Sequence, residues 1–356
     1  MEYMSAKQAA SKWGISQRRV AVLCAEKRIK HATMLGNMWI IPSSALKPTD
    51  ARSTRYVKFQ ERTVKPFLKW AGGKGQLLKE IEHYYPFEQG KITKYAEPFV
   101  GGGAVLFDIL SKYPLEEIYI SDINADLINT YRVIRDQIDG LVVTLSIMQR
   151  EYLSMNESER KNYYLLQRDR FNKLKVGEDE GGNVVKAALM IFLNKTCFNG
   201  LFRVNRKGAF NVPMGSYKNP VICDESNLRL VSEKLKGVKI VCGDYREAAA
   251  FIDEKTFVYF DPPYRPLTET ASFTAYTESL FSDAQQIELA KFVDEMDRKG
   301  AKIVVSNSDP KNTCPNDNFF DNLYASHTIV RVDAARMINS KGEGRGKIKE
   351  LLISNF

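Results

Sequence analysis

The tetrapeptide DPPY at residues 261–264 follows an apolar run at residues 256–260, and its composition suits it to holding an aromatic amine. Two prolines remove two backbone donors and stiffen the turn, so the Asp261 carboxylate and the Pro262 carbonyl form an acceptor-rich edge. Acceptors for both hydrogens would favour the pyramidal, nucleophilic form of the amine and stabilise the positive charge that develops on alkylation. Tyr264 could stack on a base drawn out of a duplex. The alternative is a surface turn in which Asp261 is only a capping residue.

A glycine-rich stretch, EPFVGGG at residues 97–103, follows another apolar run and precedes a helix that is predicted to begin at Ala104. Glycines at such a strand-to-helix turn let the backbone approach a ligand closely. About twenty residues later, Asp122 ends the next apolar run, where a carboxylate can accept hydrogen bonds from ribose hydroxyls. The dinucleotide pattern GxGxxG fails because Leu106 replaces its third glycine. A purely structural turn is therefore the alternative.

A second glycine-containing stretch, KWAGGK at residues 69–74, combines an aromatic residue, two glycines and a lysine. It is not a phosphate-binding P-loop, because Leu68 stands where the first glycine is required and Gly75 where serine or threonine is required. Trp70 and Lys74 could instead line a pocket for an adenosine and a carboxylate. A tight turn without a ligand explains the stretch equally well.

The apolar runs that precede these motifs belong to an alternation of short strands and helices that begins after residue 65. Strands are predicted at residues 94–96, 117–121, 238–242, 256–260 and 301–305. The alternation predicts an α/β domain in which helices cover both faces of a mostly parallel sheet. Ligands of such sheets bind at the carboxyl ends of the strands, which is where the glycine loop and DPPY lie.

Residues 131–220 interrupt this alternation and are rich in asparagine, arginine, lysine and aromatic side chains. Because the interruption is longer than a crossover connection requires, we interpret it as an inserted helical recognition domain. The catalytic domain then consists of residues 65–130 and 221–356. The polar residues 48–64 form a predicted linker.

Residues 1–47 form a separate predicted module. A short helix over residues 4–13 ends at Gly14. Ser16 is a suitable N-cap for a second helix that ends near Glu26. The two helices and the short glycine-containing turn between them have the order of a helix-turn-helix.

A hairpin follows these helices, with Gly36-Asn37 as its turn and residues 39–41 in its second strand. The complete order predicts a winged helix-turn-helix, and it resembles the small excisionase and MerR-like DNA-binding modules. Arg18, Arg19 and Lys27 would lie on or near the second helix and contact DNA. The alternative is a small helical interaction domain with no role in nucleic-acid binding.

The chain has 356 residues and a formal net charge of +9. A cationic surface favours a polyanionic partner, although solubility alone explains the charge equally well. No apolar run approaches the ~20 residues of a membrane span, and the N-terminus lacks a signal-peptide core, so we expect no membrane partner and a cytoplasmic location. Five cysteines without CxxC spacing and only three histidines do not support a zinc site. We therefore expect free thiols and no metal.

With these motifs combined, the chain resembles the Dam/DpnII-type family of DNA adenine-N6 methyltransferases, in its α group or D12 class, over nearly all of residues 65–356. The resemblance is carried by PFLKWAGGKGQLL (66–78), EPFVGGGAVLFDIL (97–110), SDINADLINTY (121–131), NKTCFNGLFRVNRKGAFNVPMGSYK (194–218), CGDY (242–245), DPPYRPL (261–267), SFTAYT (272–277) and SNSDP (306–310). It implies a Rossmann-like methyltransferase fold. It also implies that S-adenosylmethionine is the cofactor and that the N6 amine of adenine in double-stranded DNA is the substrate.

The resemblance also implies roles for individual residues. The residues implied to bind S-adenosylmethionine are Trp70, Lys74, the loop of Phe99, Gly101 and Gly103, Asp122 and, at its adenine, Asp244 and Tyr245. Asp261, Pro262 and Tyr264 would hold the extruded base. We see no departure at these positions that would suggest an inactive enzyme.

The stretch at residues 198–203, followed by residues 211–213, is similar to the recognition hairpin of family members that read GATC. Arg203 can make a bidentate contact to guanine. The other implied contacts are Leu201 and Pro213 with a thymine methyl group, Phe198 or Asn199 in the gap left by the extruded base, and Lys69 with the first guanine. The alternative is that these residues only hold phosphates or build a hairpin.

Other functions stay open from the sequence. A DNA cytosine-N4 methyltransferase would use Asp261 in the same way, although the family's cytosine members more often carry serine there. A non-catalytic DNA-binding regulator would rely on residues 1–47, and the failed GxGxxG pattern disfavours a dehydrogenase. The chain could serve a cognate restriction endonuclease system, come from a phage, or act alone.

Overall fold

The computed structural model describes residues 3–26, 29, 32–36, 38–43, 45, 47, 64–70, 72–88, 90–175, 182–265, 281–335 and 347–356. The chain divides into two compact units, Met1–Arg62 and Thr63–Phe356. The first has one hydrophobic cluster of its own, and the second has two. Lys27, Asn37, the SFTAYT segment and nearly all of the predicted linker lie outside the described residues.

The first unit contains two helices and a small antiparallel sheet. Its elements are β1 (Tyr3–Ser5), α1 (Ala6–Trp13), α2 (Gln17–Ala25), β2 (Thr33–Leu35) and β3 (Met38–Pro42). β3 lies between β1 and β2 and is antiparallel to both. The predicted hairpin is therefore present, with a third strand beside it.

The predicted helix over residues 4–13 is wrong at its start, because Met4 lies in β1 and pairs with β3. Ser5 then caps α1 through a capping box with Gln8, which satisfies two backbone donors that the helix leaves unpaired. Gly14 ends α1 in the left-handed conformation, at φ 64°. Ser16 caps α2 as predicted, since its side chain accepts the Arg19 N–H.

The second unit is built on a seven-stranded mixed sheet. Its strands are β4 (Lys94–Glu97), β5 (Glu117–Asp122), β6 (Lys239–Cys242), β7 (Thr256–Phe260), β8 (Lys302–Ser308), β9 (Thr328–Ala335) and β10 (Lys347–Ser354). Their order is β6-β5-β4-β7-β8-β10-β9. The first five strands are parallel, and β10 is antiparallel to both of its neighbours. All five predicted strands are present, whereas β9 and β10 were missed.

Alternate residues of β7 enter different hydrophobic cores. Phe257 and Tyr259 belong to the larger cluster, and Val258 and Phe260 belong to the smaller one. Because successive strand residues point to opposite faces, the sheet is buried on both sides. The apolar run that predicted this strand is a direct consequence of that double burial.

Helices flank the sheet and fill the segment predicted to recognise the substrate. Their bounds are α3 (Leu78–Glu82), α4 (Ala104–Lys112), α5 (Ala125–Asp136), α6 (Ile138–Ser154), α7 (Glu157–Lys175), α8 (Gly182–Thr196), α9 (Glu225–Lys234), α10 (Asp283–Arg298) and α11 (Phe319–Leu323). α8 packs against α5, α6 and α7. α5 continues without a break past residue 131, where the recognition domain is predicted to begin, and it shares one core with α8.

Candidate functional site

The carboxyl ends of β4, β5 and β7 meet at a cavity of about 720 Å³. A volume of this size accommodates a small organic ligand. All eleven residues predicted to bind the cofactor or to catalyse line the cavity, namely Trp70, Lys74, Phe99, Gly101, Gly103, Asp122, Asp244, Tyr245, Asp261, Pro262 and Tyr264. The structure therefore brings the three motifs together, while the role of each residue stays a prediction.

Asp261 lies at the end of β7 in an ion pair with Lys74. The Lys74 Nζ is 2.8 Å from Asp261 Oδ1 and also donates to the Gly72 carbonyl. The same ammonium lies 4.5 Å from the centre of the Tyr264 ring. The Ser306 hydroxyl donates to Asp261 Oδ1 at 3.0 Å. Burial raises the pKa of Asp261, and the charge and hydrogen bond of Lys74 oppose that shift.

The remainder of DPPY is held from neighbouring elements. The buried Gln286 side chain donates to the Pro263 carbonyl at 3.1 Å, and the Tyr264 hydroxyl donates to Glu350 Oε2 at 2.6 Å. The Pro262 carbonyl accepts no hydrogen bond from any residue that the structure describes. The loop thus offers this oxygen, together with the Asp261 carboxylate, to a donor that enters the cavity.

The glycine loop is shaped by Asp122 and Tyr131. Asp122 accepts the backbone N–H groups of Gly101 and Asn124, at 3.1 and 2.9 Å. Tyr131 donates to the Gly101 carbonyl, and a Cβ at Gly103 would lie 2.5 Å from the Tyr131 hydroxyl. Gly103, at φ 70°, is therefore required by both packing and conformation. Burial raises the pKa of Asp122, although the backbone donors oppose the shift.

Two aromatic pairs include residues that line the cavity. Phe99 stacks on Tyr245 with 5.3 Å between ring centres. Trp70 stacks on Phe202 at 5.6 Å. The second pair joins the wall of the cavity to the segment predicted to read DNA, because Phe202 lies between two of the predicted recognition residues.

Asp244 lies at the rim of the cavity and caps a short 3-10 helix, Tyr245–Ala250. Its carboxylate pairs with Arg246, with 2.7 Å between Oδ1 and Nε. The hydrogen bond from Arg246 lowers the pKa of Asp244. Asp244 is therefore an ionised acceptor at the edge of the cavity.

The predicted recognition residues other than Lys69 lie on one hairpin, residues 197–214. Antiparallel bridges join Cys197 to Met214 and Val204 to Phe210. The exposed members are Phe198, Asn199, Arg203 and Pro213, and Leu201 is half-buried. These predicted recognition residues therefore share one hairpin, on which four of them are exposed.

Two features of the hairpin organise the side chains that it presents. Arg203 Nε donates to Asn211 Oδ1 at 2.9 Å, which fixes the direction of the guanidinium. Asn199 adopts φ 54° and has the one positive φ among the non-glycine residues that are described. The turn that displays Phe198 and Asn199 therefore depends on a left-handed backbone conformation that few residues other than glycine adopt.

Asn194, which the sequence reasoning did not single out, fastens Lys69 to this hairpin. Its amide accepts the Lys69 N–H and donates to the Lys69 carbonyl, each at 2.8 Å, and it also donates to the Gly200 carbonyl. The Lys69 ammonium lies 4.3 Å from the centre of the Tyr217 ring and donates to its hydroxyl. Lys69 is thus joined to the hairpin that carries the other predicted recognition residues, although it precedes the cavity tryptophan in sequence.

Glu350, Gln286 and Ser306 were also missed. They reach DPPY from β10, α10 and β8, at 86, 23 and 45 residues from the positions that they contact. No local spacing in the sequence signals contacts of this kind. The segment SNSDP, which was quoted for the resemblance, contained Ser306 without indicating its partner.

Other classes of site have no structural support in the described part of the chain. No group of three or more His, Cys, Asp or Glu side chains there is arranged to hold a metal ion. None of its helices is long and apolar enough to cross a membrane. The five cysteines are free.

Comparison with known proteins gives one family. The model of the D12 class of N6 adenine-specific DNA methyltransferases matches residues 70–338. The chain is 53% identical to the type II methyltransferase M.MjaIII of Methanocaldococcus jannaschii over 82% of this chain and 99% of that protein. It is 37% identical to the type II methyltransferase M1.LlaDCHI of Lactococcus lactis subsp. cremoris, over 82% and 96%. It is 34% identical to a DNA adenine methylase of Vibrio cholerae serotype O1, over 80% and 94%.

Proposed function

Because the chain belongs to the D12 class of N6-adenine-specific DNA methyltransferases, with S-adenosylmethionine as methyl donor, we propose that it methylates the adenine of GATC in double-stranded DNA. The observation that carries the proposal is the hairpin at residues 197–214, which exposes Arg203 and is joined to Lys69 through Asn194. Nη1 and Nη2 of Arg203 make no hydrogen bond with the described residues, while Asn211 holds Nε. A guanidinium held in this way is ready for a bidentate contact to guanine O6 and N7.

The chemistry that we propose uses the acceptors of DPPY. The Asp261 carboxylate and the Pro262 carbonyl accept the two N6 hydrogens, and Tyr264 stacks on the extruded adenine. S-adenosylmethionine supplies an electrophilic methyl group. The Lys74 ammonium and the Ser306 hydroxyl both contact Asp261 Oδ1, so Oδ2, which accepts no hydrogen bond from the described residues, stays open to the amine. Asp261 then stabilises the positive charge that develops on N6.

The polar groups at the rim of the cavity suit the methyl donor. Asp122 and Asp244 offer carboxylates for hydroxyl and amine donors, and Phe99 with Tyr245 offers an aromatic face for an adenine ring. Lys74 and Trp70 complete the set that we assign to the cofactor.

Charge supports contact between the hairpin region and DNA. Residues 194–220 contain five lysines and arginines and no aspartate or glutamate. Arg206, Lys207 and Lys218 are exposed and available to phosphates. We assign Leu201 and Pro213 to a thymine methyl group, and Phe198 or Asn199 to the gap that the extruded adenine leaves.

We assign the first unit to DNA binding as a winged helix-turn-helix. Its order of two helices and a hairpin supports this assignment, as does the exposed Arg18 with the neighbouring Arg19 on α2. We propose that the chemistry does not require this unit, because every described residue that lines the cavity belongs to the second unit.

The biological setting that we propose is a cytoplasmic restriction–modification system with a cognate endonuclease. Two of the similar proteins are named as type II methyltransferases. In such a system the methyl group protects the host's own sites from the endonuclease.

The test is to methylate plasmid DNA and challenge it with two nucleases, one that cuts GATC only when it is unmethylated and one that cuts only when its adenine is methylated. We expect protection from the first and cleavage by the second, with Asp261→Ala as the inactive control. Full cutting by the first and none by the second discards GATC. Nucleoside analysis of the product separates N6-methyladenine from N4-methylcytosine.

A further inference from the structure

The chain directly after the DPPY tyrosine is fastened by Arg265. The Arg265 N–H donates to Asn307 Oδ1 at 3.3 Å, and its carbonyl accepts the Ser308 hydroxyl at 3.3 Å. Both partners belong to β8, the strand beside β7. The backbone that leaves Tyr264 is therefore tied to the sheet on both its donor and its acceptor side.

The Arg265 guanidinium adds a second set of ties. Nε and Nη2 form a bidentate pair with the two oxygens of Asp283, at 2.7 and 2.9 Å. Nη1 donates to Asp317 Oδ2 at 2.6 Å, and the plane lies 4.4 Å from the centre of the Phe319 ring. A planar fork that is bound on three nitrogens and stacked on an aromatic ring has a fixed orientation.

These ties hold Tyr264 between two anchors, with Glu350 on its hydroxyl and Arg265 on its backbone. We propose that Arg265 is a positioning residue of the base pocket, which keeps Tyr264 and the Pro262 carbonyl in the geometry that receives the extruded adenine. This inference rests on the proposed function. A free Tyr264 would have to be ordered each time a base entered, and misplacement of a reacting group by about 1 Å can cost on the order of 10²-fold in rate.

The chain provides a matched control in Arg331. Its guanidinium also bridges two carboxylates, Asp309 at 2.9 Å and Asp321 at 2.8 Å, with similar burial. None of its hydrogen bonds with the described residues reaches DPPY. Arg331→Lys therefore measures what the loss of such a clamp does to stability alone.

The experiment compares Arg265→Lys with Arg331→Lys in the full-length enzyme. Lysine keeps the charge but loses the bidentate fork and the ring contact. The measurements are the fluorescence of 2-aminopurine at the target position of a GATC duplex, kcat, the KM for S-adenosylmethionine, and the melting temperature.

We expect Arg265→Lys to lose most of the 2-aminopurine signal and about 10- to 100-fold in kcat, while its KM for S-adenosylmethionine stays near the wild-type value. Arg331→Lys should keep both the signal and kcat at a similar melting temperature. Full signal and kcat in Arg265→Lys overturn the proposal, as does an equal loss in Arg331→Lys. If Arg265→Lys does not fold, Asp317→Asn, which removes one ion pair of the same clamp, must show the smaller loss in the same direction.

The wild-type enzyme in the same assay reports separately on the proposed function. Absence of methylated GATC from the wild-type reaction refutes the proposed function and, with it, the role of Arg265. Normal wild-type methylation with an unchanged Arg265→Lys variant refutes only the positioning role.

Discussion

The two units of the protein differ most in charge. Residues 1–62 contain twelve lysines and arginines and four acidic residues, which gives a formal charge of +8. Residues 63–356 contain forty lysines and arginines and thirty-nine acidic residues, which gives a formal charge of +1. The unit with about a sixth of the chain therefore supplies nearly all of the net charge of +9. Because attraction to DNA over long distances follows net charge, the small unit is suited to attract DNA in general and the large unit to select a site on it.

The large unit is nearly neutral because its basic and acidic residues are almost equal in number, and many of them pair with one another. Arg265 and Arg331 each bridge two carboxylates, and the buried Asp126 pairs with both Lys175 and Lys186. The described part of the chain has all of its buried Lys, Asp and Glu residues in this unit. Uncompensated positive charge is instead concentrated in residues 194–220. Under the function that we propose, this difference separates general attraction to DNA from the selection of a site.

The largest effect that this comparison predicts comes from Asp261→Ala. Loss of a preorganised partner for the reacting group should lower kcat by roughly 10²–10³-fold, while DNA affinity and its salt dependence stay unchanged. Single-turnover methylation and a binding titration measure the two quantities.

The matched control is Asp253→Ala. Asp253 lies at the opposite end of β7 and also pairs with a lysine, with 2.9 Å between its Oδ2 and the Lys94 Nζ. It should lose stability and keep kcat. Near-full turnover in Asp261→Ala would show that the carboxylate is not part of the chemistry.

The next effect concerns the small unit. A chain that begins near Arg62 should still methylate at saturating DNA, because the cavity and both larger cores lie in Thr63–Phe356. Its DNA affinity at physiological salt should fall on the order of 10²-fold, and the slope of log K against log salt should become shallower by about 0.9 for each phosphate contact that is lost.

The proposed division of roles between the two units is refuted if the truncated chain binds DNA with the same affinity and the same salt dependence as the full chain. The charge of the first unit would then serve solubility alone. A folded but inactive truncation would show instead that the first unit takes part in catalysis.

The sequence predicted the cavity well because its motifs lie at strand ends. The apolar run before DPPY fixed the position of Asp261 at the edge of a parallel sheet, and the run that ends in Asp122 did the same one strand away. Parallel strands bring such ends together whatever lies between them in sequence. Strand ends alone therefore bring the glycine loop, Asp122 and DPPY to one site. Trp70 and Lys74 precede the first strand of this sheet, and Asp244 and Tyr245 were implied only by the resemblance to the family.

The supports of the site could not be predicted in this way. Glu350 and Gln286 contact DPPY through tertiary packing of β10 and α10, which no local periodicity encodes. β1 was missed because Tyr3–Ser5 is too short to show an alternation and gains its strand conformation only by pairing with β3. Local patterns find residues at the ends of elements and miss contacts made between distant ones.

A smaller effect, on specificity, should follow from Arg203→Ala. A bidentate arginine–guanine contact is worth roughly 1–3 kcal/mol of discrimination, so the variant should relax its preference at one base pair of the site. Lys218→Ala, at another exposed cation of the same region, should weaken all sites alike. Methylation kinetics on duplexes with single substitutions in GATC separate the two. Equal behaviour of the two variants would place Arg203 among general contacts with the phosphates.

The smallest effect is on stability and comes from Glu97, a buried carboxyl at the end of β4 that has no counterpart in the described part of the first unit. Tyr95 donates to Glu97 Oε2 at 2.7 Å. Burial raises the pKa of Glu97 well above its usual range, the Tyr95 hydrogen bond opposes the shift, and the charge of Asp261 adds to it.

A carboxyl whose folded pKa is raised contributes stability that is fully present below the unfolded pKa, about 4.3 for glutamate, and lost as pH rises through the folded pKa. Glutamine at position 97 does not titrate, so Glu97→Gln should lack this loss. The melting temperature of Glu97→Gln relative to wild type should therefore increase as pH is raised from 5 towards 9, a window set by that upward shift. The amide can still accept the Tyr95 hydroxyl, which keeps the packing comparable between the two proteins. Thermal denaturation across this pH series measures the difference. If the difference in melting temperature between Glu97→Gln and wild type stays constant or falls as pH rises, then Glu97 is no more costly to ionise in the folded protein than in the unfolded chain. The contrast in buried charge between the described parts of the two units would then not extend to this carboxyl.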